Sequence, residues 1–366
     1  MTRAPADEDA LITAAQRGDD KAYTRLVTAY HAELHAHCYQ MLGSYADAED
    51  ALQEALLRAW RGIGGFERRG SLRSWLYTVA TNACLKALER RPRRALPVDS
   101  GPAADPHQGS AALPAELAWI EPYPGRREIT ADTAAAPEAR YDQRESVELA
   151  FIAALQHLTP RQRAALILHD VLGYPAAQIA EMLHTTPASV YSSLQRAHKA
   201  TEGRLPHPSQ QTTLRALGDN GLRDLAARYV DAWHRGDVDA IVAMLTSDAI
   251  LSMPPQPSWF AGTAAIRGFL AASPMTQPDR SRLAATWANG QLAIGHYLLD
   301  SDTGWYLGHS LDVLTLRGTQ IAAITAFVVP HLFGSFGLTP SIEPAPGVTG
   351  AGIPSAHDNT SPRQQR

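Results

Sequence analysis

Cysteine is scarce in this chain: two in 366 residues, which rules out a disulfide-stapled scaffold. Long apolar runs are missing too. The longest, Ile321 to Val329, falls far short of the roughly 20 residues that a spanning helix needs. The opening stretch, MTRAPADEDALITAAQRGD, is acidic and holds no apolar core, so it is not read as a signal peptide. The expected setting is the cytoplasm, with no membrane partner. The 26 glycines follow no triplet period, which excludes a collagen-like fibre. Cys38 and Cys84 have no partner at metal-ligand spacing. They read as two small buried hydrophobes, with a redox pair as the other reading.

What is present is an ordinary globular mix, 45% hydrophobic and 19% charged, long enough for two or three domains. The net charge of −4 hides an asymmetry. Residues 1–57 carry a balance of −6, and residues 58–94 a balance of +8. A local basic block inside an acidic protein is the footprint of a polyanionic partner; a solvated face is the plain alternative.

Residues 10–93 are helical by pattern. Helices are expected over Ala10–Arg17 and Lys21–Met41, with Leu26, Tyr30, Leu34 and Cys38 on one face. A further helix begins at Asp47 and turns Asp47, Glu49, Asp50, Gln53 and Glu54 outward, a face that could dock a basic surface. A glycine-rich basic turn follows, Gly62 to Ser71. It is no Walker phosphate loop, since no Gly-Lys-Ser/Thr follows. Basic Arg68, Arg69, Arg73, Lys86 and Arg90 interleave with Phe66, Trp75, Tyr77 and Asn82. Cations that hold phosphates beside aromatic faces that accept unstacked bases suit single-stranded DNA. A glycine loop beside them can admit an extruded base. The other reading of Trp75 and Tyr77 is core aromatics of a helix pair.

Residues 94–145 read as a Pro/Ala/Gly/Asp linker, yet Glu116 to Pro124 (ELAWIEPYP) is too aromatic to hang free and is expected to dock. Helical pattern resumes over 146–204. Thr159-Pro160 and Thr186-Pro187 are both N-cap-plus-first-turn signals. Two helices, Ala176–His184 and Pro187–Thr201, share small Ala180 and anchors Ile179, Val190 and Leu194, which makes a helix-turn-helix. Its second helix would present Thr186, Ser189, Tyr191, Ser192, Gln195, Arg196 and Lys199 to DNA, bases first and phosphates at the far end.

Residues 10–204 resemble an extracytoplasmic-function-type sigma-70 factor, an initiation subunit of bacterial RNA polymerase. The resemblance rests on Asp47-Ala48-Glu49-Asp50-Ala51-Leu52-Gln53-Glu54, on Phe66 with Leu72-Arg73-Ser74-Trp75-Leu76, Ala80 and Asn82, and on Leu158 to Arg163 with Ala188-Ser189-Val190 and Arg196-Ala197. It implies that Asp47, Glu49, Asp50, Gln53 and Glu54 dock on core polymerase. The basic aromatic stretch would melt and hold the −10 element, the helix-turn-helix would read the −35 element, and the linker would lie in the RNA exit path. The family often has an acid where Lys86 stands, and Tyr191 and Gln195 leave the recognition helix less basic than many.

Residues 220–332 read as helices over Leu222–Arg235, Val238–Leu245 and Thr263–Ala271, with strands at Ala249–Met253 and near 282–288, 291–299, 307–316 and 320–329. Asn289-Gly290 is a hairpin turn signal. The order resembles a SnoaL-like α+β cone, carried by Tyr229-Val230-Asp231-Ala232-Trp233-His234-Arg235-Gly236-Asp237. Acid–base work there would fall to His296, His309 or Asp312, and Met253, Trp259, Phe260, Trp287, Tyr306 and Phe327 could line a cavity. Residues 333–366 read as a mostly disordered tail, save a docking piece at Phe336–Leu338.

The architecture expected is thus multidomain: two all-α sigma domains, a region 2 bundle (10–93) and a region 4 helix-turn-helix (146–204), plus a C-terminal α+β SnoaL-like cone. The expected function is a non-enzymatic sigma factor that needs neither cofactor nor metal. Its partners would be core RNA polymerase and promoter DNA, with the cone modulating activity in place of a separate anti-sigma factor. The rival is a SnoaL-like enzyme or ligand sensor fused to a DNA-binding module, with a small-molecule ligand in the cone. An ordinary helix-turn-helix repressor is a weaker rival.

Overall fold

The computed structural model describes residues 5–89, 91–106, 118–124, 146–273 and 276–343. Five helices open the chain: α1 (Pro5–Gln16), α2 (Asp20–Thr28), α3 (His31–Leu42), α4 (Tyr45–Gly62) and α5 (Leu72–Leu88). Their starts follow from short polar side chains that satisfy orphan backbone donors. Asp19 caps α2, Ser44 accepts from the Asp47 amide, and Ser71 from the Ser74 amide. The expected single helix over Lys21–Met41 is two, broken at Ala29–Tyr30. The apolar spacing continues across the break, so periodicity gives the buried face but not the axis. Leu34, Cys38, Leu52, Ala55, Leu76 and Ala80 interlock in the bundle core, and both cysteines are buried free thiols.

The second helical block contains α6 (Leu149–Gln156), α7 (Pro160–Leu166, running on as a π-helical turn Ile167–Val171), α8 (Ala176–Met182) and α9 (Pro187–Thr201). Thr159 and Gln162 form a reciprocal capping box at α7. Thr186 caps α9 through the Ser189 amide. Arg163, on α7, is buried, and no carboxylate among the described residues pairs with it. Its guanidinium donates to the carbonyls of Leu155, Leu158 and, across the domain boundary, Met41. Burial lowers its pKa to about 10. On α8, Gln178 Nε2 donates to Ser74 Oγ of α5 at 2.6 Å. The two helical blocks therefore share one core, and their packing is direct.

The C-terminal block begins earlier than its periodicity suggested. Ser209 caps α10 (Gln210–His234), which bends at Gly218. Then come α11 (Val238–Ala243) and α12 (Gly262–Ala272). The sheet strands are β3 (Leu245–Ser252), β4 (Trp259–Ala261), β5 (Ser281–Ala288), β6 (Gln291–Leu299), β7 (Tyr306–Arg317), β8 (Gln320–Phe327) and β9 (Ser341–Ile342). Their order is β4-β3-β8-β7-β6-β5, with β9 added to β7; only β3–β8 is parallel. Alternation along each strand splits the sheet into two faces. Leu292, Ile294, Leu314 and Ile324 meet Leu225, Tyr229, Trp233 and Ile266 on the concave side. Ala288, Ala293, Leu311, Val313 and Phe327 share the other core with the helical blocks.

Two segments that composition assigned to linker and tail are placed. Within the linker, β1 (Arg94–Ala95) pairs with β2 (Ala118–Trp119) in parallel. Past residue 333, Phe333 and Phe336 are buried and β9 edges the sheet, so 333–343 is packed structure. Buried aromatic area outweighs the low-complexity sequence around it. Residues 344–366 lie outside the described residues. No helix among the described residues is long and apolar enough to cross a membrane.

Gly236, between α10 and α11, has φ +64 and faces the Thr276 carbonyl so closely that a Cβ would collide with it. Gly236→Ala should cost about 2–4 kcal/mol through backbone strain plus overpacking. A shift of the urea midpoint measures it; an unchanged midpoint would disprove the close approach.

Candidate nucleic-acid interface

The acidic helix α4 splits its carboxylates by environment. Asp50 and Glu54 are exposed, with side chains 74% and 50% accessible. Glu54 reaches Arg58 one turn on at 2.7 Å. Gln53 donates to Glu49 at 3.2 Å, and Glu49 sits 3.4 Å from His35. Asp47 is different: only 14% of its side chain is accessible, and Arg91 and Arg94 clamp it. The outward face expected for all five residues therefore holds for Glu49, Asp50, Gln53 and Glu54, while Asp47 is tied into the structure behind them.

The basic aromatic stretch divides the same way. Arg69 is exposed beside Glu67, and Arg68 is bound to Asp9 and Thr13 of α1. Phe66 is mostly buried and packs on Trp75 at 5.2 Å between ring centres. Trp75 is half-buried, Asn82 partly exposed and Lys86 exposed. Tyr77 is 1% accessible, edge-on to His37 and 6.1 Å from Tyr174 of the second block. It is placed in the core rather than on a base-stacking surface. The reason is helix phase: Tyr77 lies with Leu76, Ala80 and Cys84 on the faces of α5 that the bundle covers. Arg73 takes Glu33 in a two-pronged pair at 2.9–3.1 Å and lies over the Tyr77 ring. Arg90 falls outside the described residues. On α9, Thr186, Ser189, Tyr191, Gln195, Arg196 and Lys199 are exposed and Ser192 partly so, while Val190, Leu194 and Ala197 anchor the other face. Among the described residues nothing covers this face of α9.

Sequence reasoning expected residues 116–124 to dock but did not foresee what they would dock on. Glu121, in the linker, donates its backbone amide to the Gly43 carbonyl. Its carboxylate accepts from Ser44 Oγ at 2.8 Å and the Ala46 amide at 3.3 Å, at the N-terminus of α4 where the helix dipole favours an anion. Tyr123 lies within a ring cluster of His35, Tyr39 and Tyr45, and its hydroxyl meets His35 Nδ1 at 3.0 Å. Burial pushes the Tyr123 hydroxyl pKa up and the His35 pKa down, so the pair is neutral. Over this segment closes the β5–β6 hairpin tip. Asn289, fully buried at φ +53, exchanges backbone and side-chain hydrogen bonds with Tyr123. Its Nδ2 donates to Tyr39 Oη and the Val147 carbonyl, both at 2.8 Å. Next to it, Gln291 accepts the Leu149 amide and Gln211 donates to the Gly290 carbonyl. The Asn-Gly pair announced the turn; nothing in its spacing announced what the turn would bind.

Inside the cone, His296, His309 and Asp312 do converge on one cavity, with Trp233, Met253 and Phe269. It holds about 40 Å³. Asp312 accepts from Tyr229 and Ser310, and His296 Nε2 pairs with Ser281 at 2.8 Å. His296 Nδ1 stands 3.7 Å from Asp312, beyond hydrogen-bond reach. Trp259, Phe260, Trp287, Tyr306 and Phe327 do not line the cavity: Phe260, Tyr306 and Phe327 are buried in core packing elsewhere, and Trp259 donates to the Gly101 carbonyl in the linker. Among the described residues no group of three or more His, Cys, Asp or Glu could hold a metal ion.

A basic, partly aromatic helix pair, a helix with an exposed acidic face and an exposed helix-turn-helix define a DNA-binding transcription protein with an appended α+β cone. Comparison with known proteins agrees. Residues 26–94 match sigma-70 region 2, residues 148–200 sigma-70 region 4, and residues 226–324 a SnoaL-like domain. The chain is 42% identical to the ECF RNA polymerase sigma factor SigG of Mycobacterium tuberculosis over 93% of its own length and 87% of that protein's. It is 28% identical to SigJ of the same organism, over 66% of this chain and 67% of SigJ. The crystal structure of SigJ superposes with a TM-score of 0.53 at 23% identity, covering 86% of this chain and all of SigJ, and shares the fold. The chain belongs to the ECF RNA polymerase sigma factors, which direct promoter-specific transcription initiation.

Burial also sets a pH response. His37 is enclosed beside Thr81, Tyr77 and Arg73, which holds its pKa down to about 3. The folded protein cannot take the proton that the unfolded chain binds near 6.5. This contribution is therefore complete above pH 6.5 and lost as pH falls toward 3. The loss from His37 alone is about 1.4 kcal/mol per pH unit. Denaturant midpoints between pH 6 and 4.5 should show this slope, and His37→Gln should flatten it; an equal slope in the variant would refute the assignment.

Proposed function

We propose that α4 docks this sigma factor on core RNA polymerase, that α5 and the loop over 62–71 open and hold the −10 element, and that α9 reads the −35 element. We further propose that the SnoaL-like cone restrains the first two steps from within the same chain, in the cytoplasm and without an obligatory anti-sigma partner. The observation that carries this is the buried Asn289 clamp, through which the cone pins the linker to α3 and the start of α4.

Distance supports restraint. The two promoter elements are centred about 25 base pairs apart, roughly 85 Å of duplex at 34 Å per ten base pairs. In this conformation α8 of the helix-turn-helix is hydrogen-bonded directly to α5. One sigma factor so closed cannot reach both elements at once. The linker would have to leave its seat on Gly43 and Ser44 before the two DNA-binding surfaces separate. The small cavity, with its carboxylate already engaged by Tyr229 and Ser310, supports a cone that contacts and restrains rather than turns over a substrate.

Run-off transcription with core polymerase on the DNA upstream of its own gene tests this. Full-length Asn289→Gly keeps the turn's positive φ but removes the amide, leaving buried partners unpaired. It should transcribe several-fold more than the wild type, as should a truncation ending at Arg204. Equal or lower activity from Asn289→Gly would overturn the restraint. Lysine at both Asp50 and Glu54 should abolish capture of core polymerase while the thermal melt stays within a few degrees. Retained capture would remove α4 from the docking site.

A further inference from the structure

Helix α1 carries no basic or aromatic residue that the DNA-binding reading uses, yet it is wired to the loop that reading depends on. After the 3-10 turn Ile63–Gly65, the chain from 66 to 71 has no ladder of its own. Gly64, Gly65 and Gly70 have no neighbouring atom where a Cβ would stand, so nothing packs the loop from those positions. A backbone that lacks secondary structure is placed by whatever its polar groups bind. Among the described residues, one side chain from outside the loop binds its backbone carbonyls. Gln16, the last residue of α1, points its Nε2 at two loop carbonyls three residues apart, Ile63 O at 3.2 Å and Phe66 O at 3.0 Å. Half-buried, it bridges the beginning of the loop to the residue whose ring lies on Trp75. Two residues on, Arg68 adopts φ +58, a conformation that a non-glycine side chain holds only when its surroundings fix it. Its guanidinium reaches back to Thr13 Oγ1 at 2.7 Å and to Asp9, both also on α1.

We infer that Gln16 is a positioning residue for promoter opening: it fixes the backbone of the 63–71 loop so that Phe66, Arg68 and Arg69 are preset for the unstacked strand. This rests on the proposed role of that loop. The Gln16 amide donates to carbonyls only, so the restraint acts on loop shape and touches no nucleotide. Without it the loop must be ordered during strand separation, and that ordering cost falls on the opening step rather than on the initial encounter. Initial binding is governed by phosphates and polymerase docking, roles that the proposed function gives to other residues.

The test uses full-length protein with core polymerase and a promoter selected from a random DNA library by the wild-type holoenzyme. Gln16→Met keeps the shape and loses both donors. Gln16→Glu keeps the shape and sets a carboxylate against two carbonyls. Both leave Leu11, Ile12 and Ala15, the buried face of α1, untouched. Closed-complex affinity at low temperature should stay within about twofold of wild type, while permanganate-detected opening slows by about tenfold, the equivalent of two ordinary hydrogen bonds. In the free protein, amide hydrogen exchange should quicken across 63–71 and not in α3 or α4. This measurement, made well below the melting temperature, decides the matter even if a variant is less stable. Wild-type opening rates, an equal fall in closed binding and opening, or unchanged exchange in the loop would each overturn the inference. Failure of the wild-type holoenzyme to open any selected promoter would instead count against the proposed role of the loop, and the exchange result would stand separately.

Discussion

One fully buried amide holds three parts of this molecule together. Asn289 bonds to the linker through Tyr123, to the first helical block through Tyr39, and to the second through the Val147 carbonyl. Each partner is itself enclosed, so none can turn to water if Asn289 is withdrawn. A buried polar group left unpaired costs about 1–3 kcal/mol, more than a typical hydrogen bond adds. The clamp therefore behaves as a unit: while it is whole the linker is seated, and once it opens several groups must be resolvated together. The surrounding apolar contact of Ala288, Ala293, Leu311 and Val313 with the helical core supplies the area that keeps it dry.

That arrangement explains how a bipartite DNA-binding protein can also be compact. A sigma factor needs its two DNA-binding surfaces far apart, yet an isolated pair of small helical domains gains stability by packing. Arg163 shows the compromise. It is buried against three carbonyls, one of them in the other helical block, and no anion among the described residues offsets its charge. Such a contact holds geometry well but gives up little when water replaces the carbonyls. The recognition helix stays exposed throughout, while Asp47 and the start of α4 are tied to Arg94 and Glu121. The folded state thus ties down the start of α4 more than the outward face of α9.

Much was legible from residues alone. Thr159-Pro160 and Thr186-Pro187 marked two helix starts because capping chemistry is local. The strands near 282–288, 291–299, 307–316 and 320–329 fell where alternation put them, and Asn289-Gly290 gave the turn because both central residues of that hairpin need positive φ. The acidic run, the basic aromatic stretch and the helix-turn-helix anchors were enough to point to the family. Less legible was which faces survive as surfaces. Tyr77 and Trp75 are two residues apart and equally aromatic, yet one is enclosed and the other half-exposed. That difference depends on how α5 is rotated against the bundle, which sets Tyr77 against His37 of α3 and Tyr174 of the second block. His296, His309 and Asp312 could be named from their strands, but their convergence waited on the sheet register, since one step would have turned each to the opposite face.

The amino-acid sequence by itself determined the helices, the hairpins, the charge division and the chemistry offered to DNA and polymerase, because each is set by residues within a few positions of one another. The tertiary structure alone decided that a hairpin tip closes over a linker, that Asp47 is held inward while Asp50 and Glu54 face solvent, and that Gln16 grips a loop nearly fifty residues downstream. Those contacts join segments whose separation along the chain carries no periodic signal. They form because buried polar groups must find partners wherever packing brings them, and packing is a property of the whole fold.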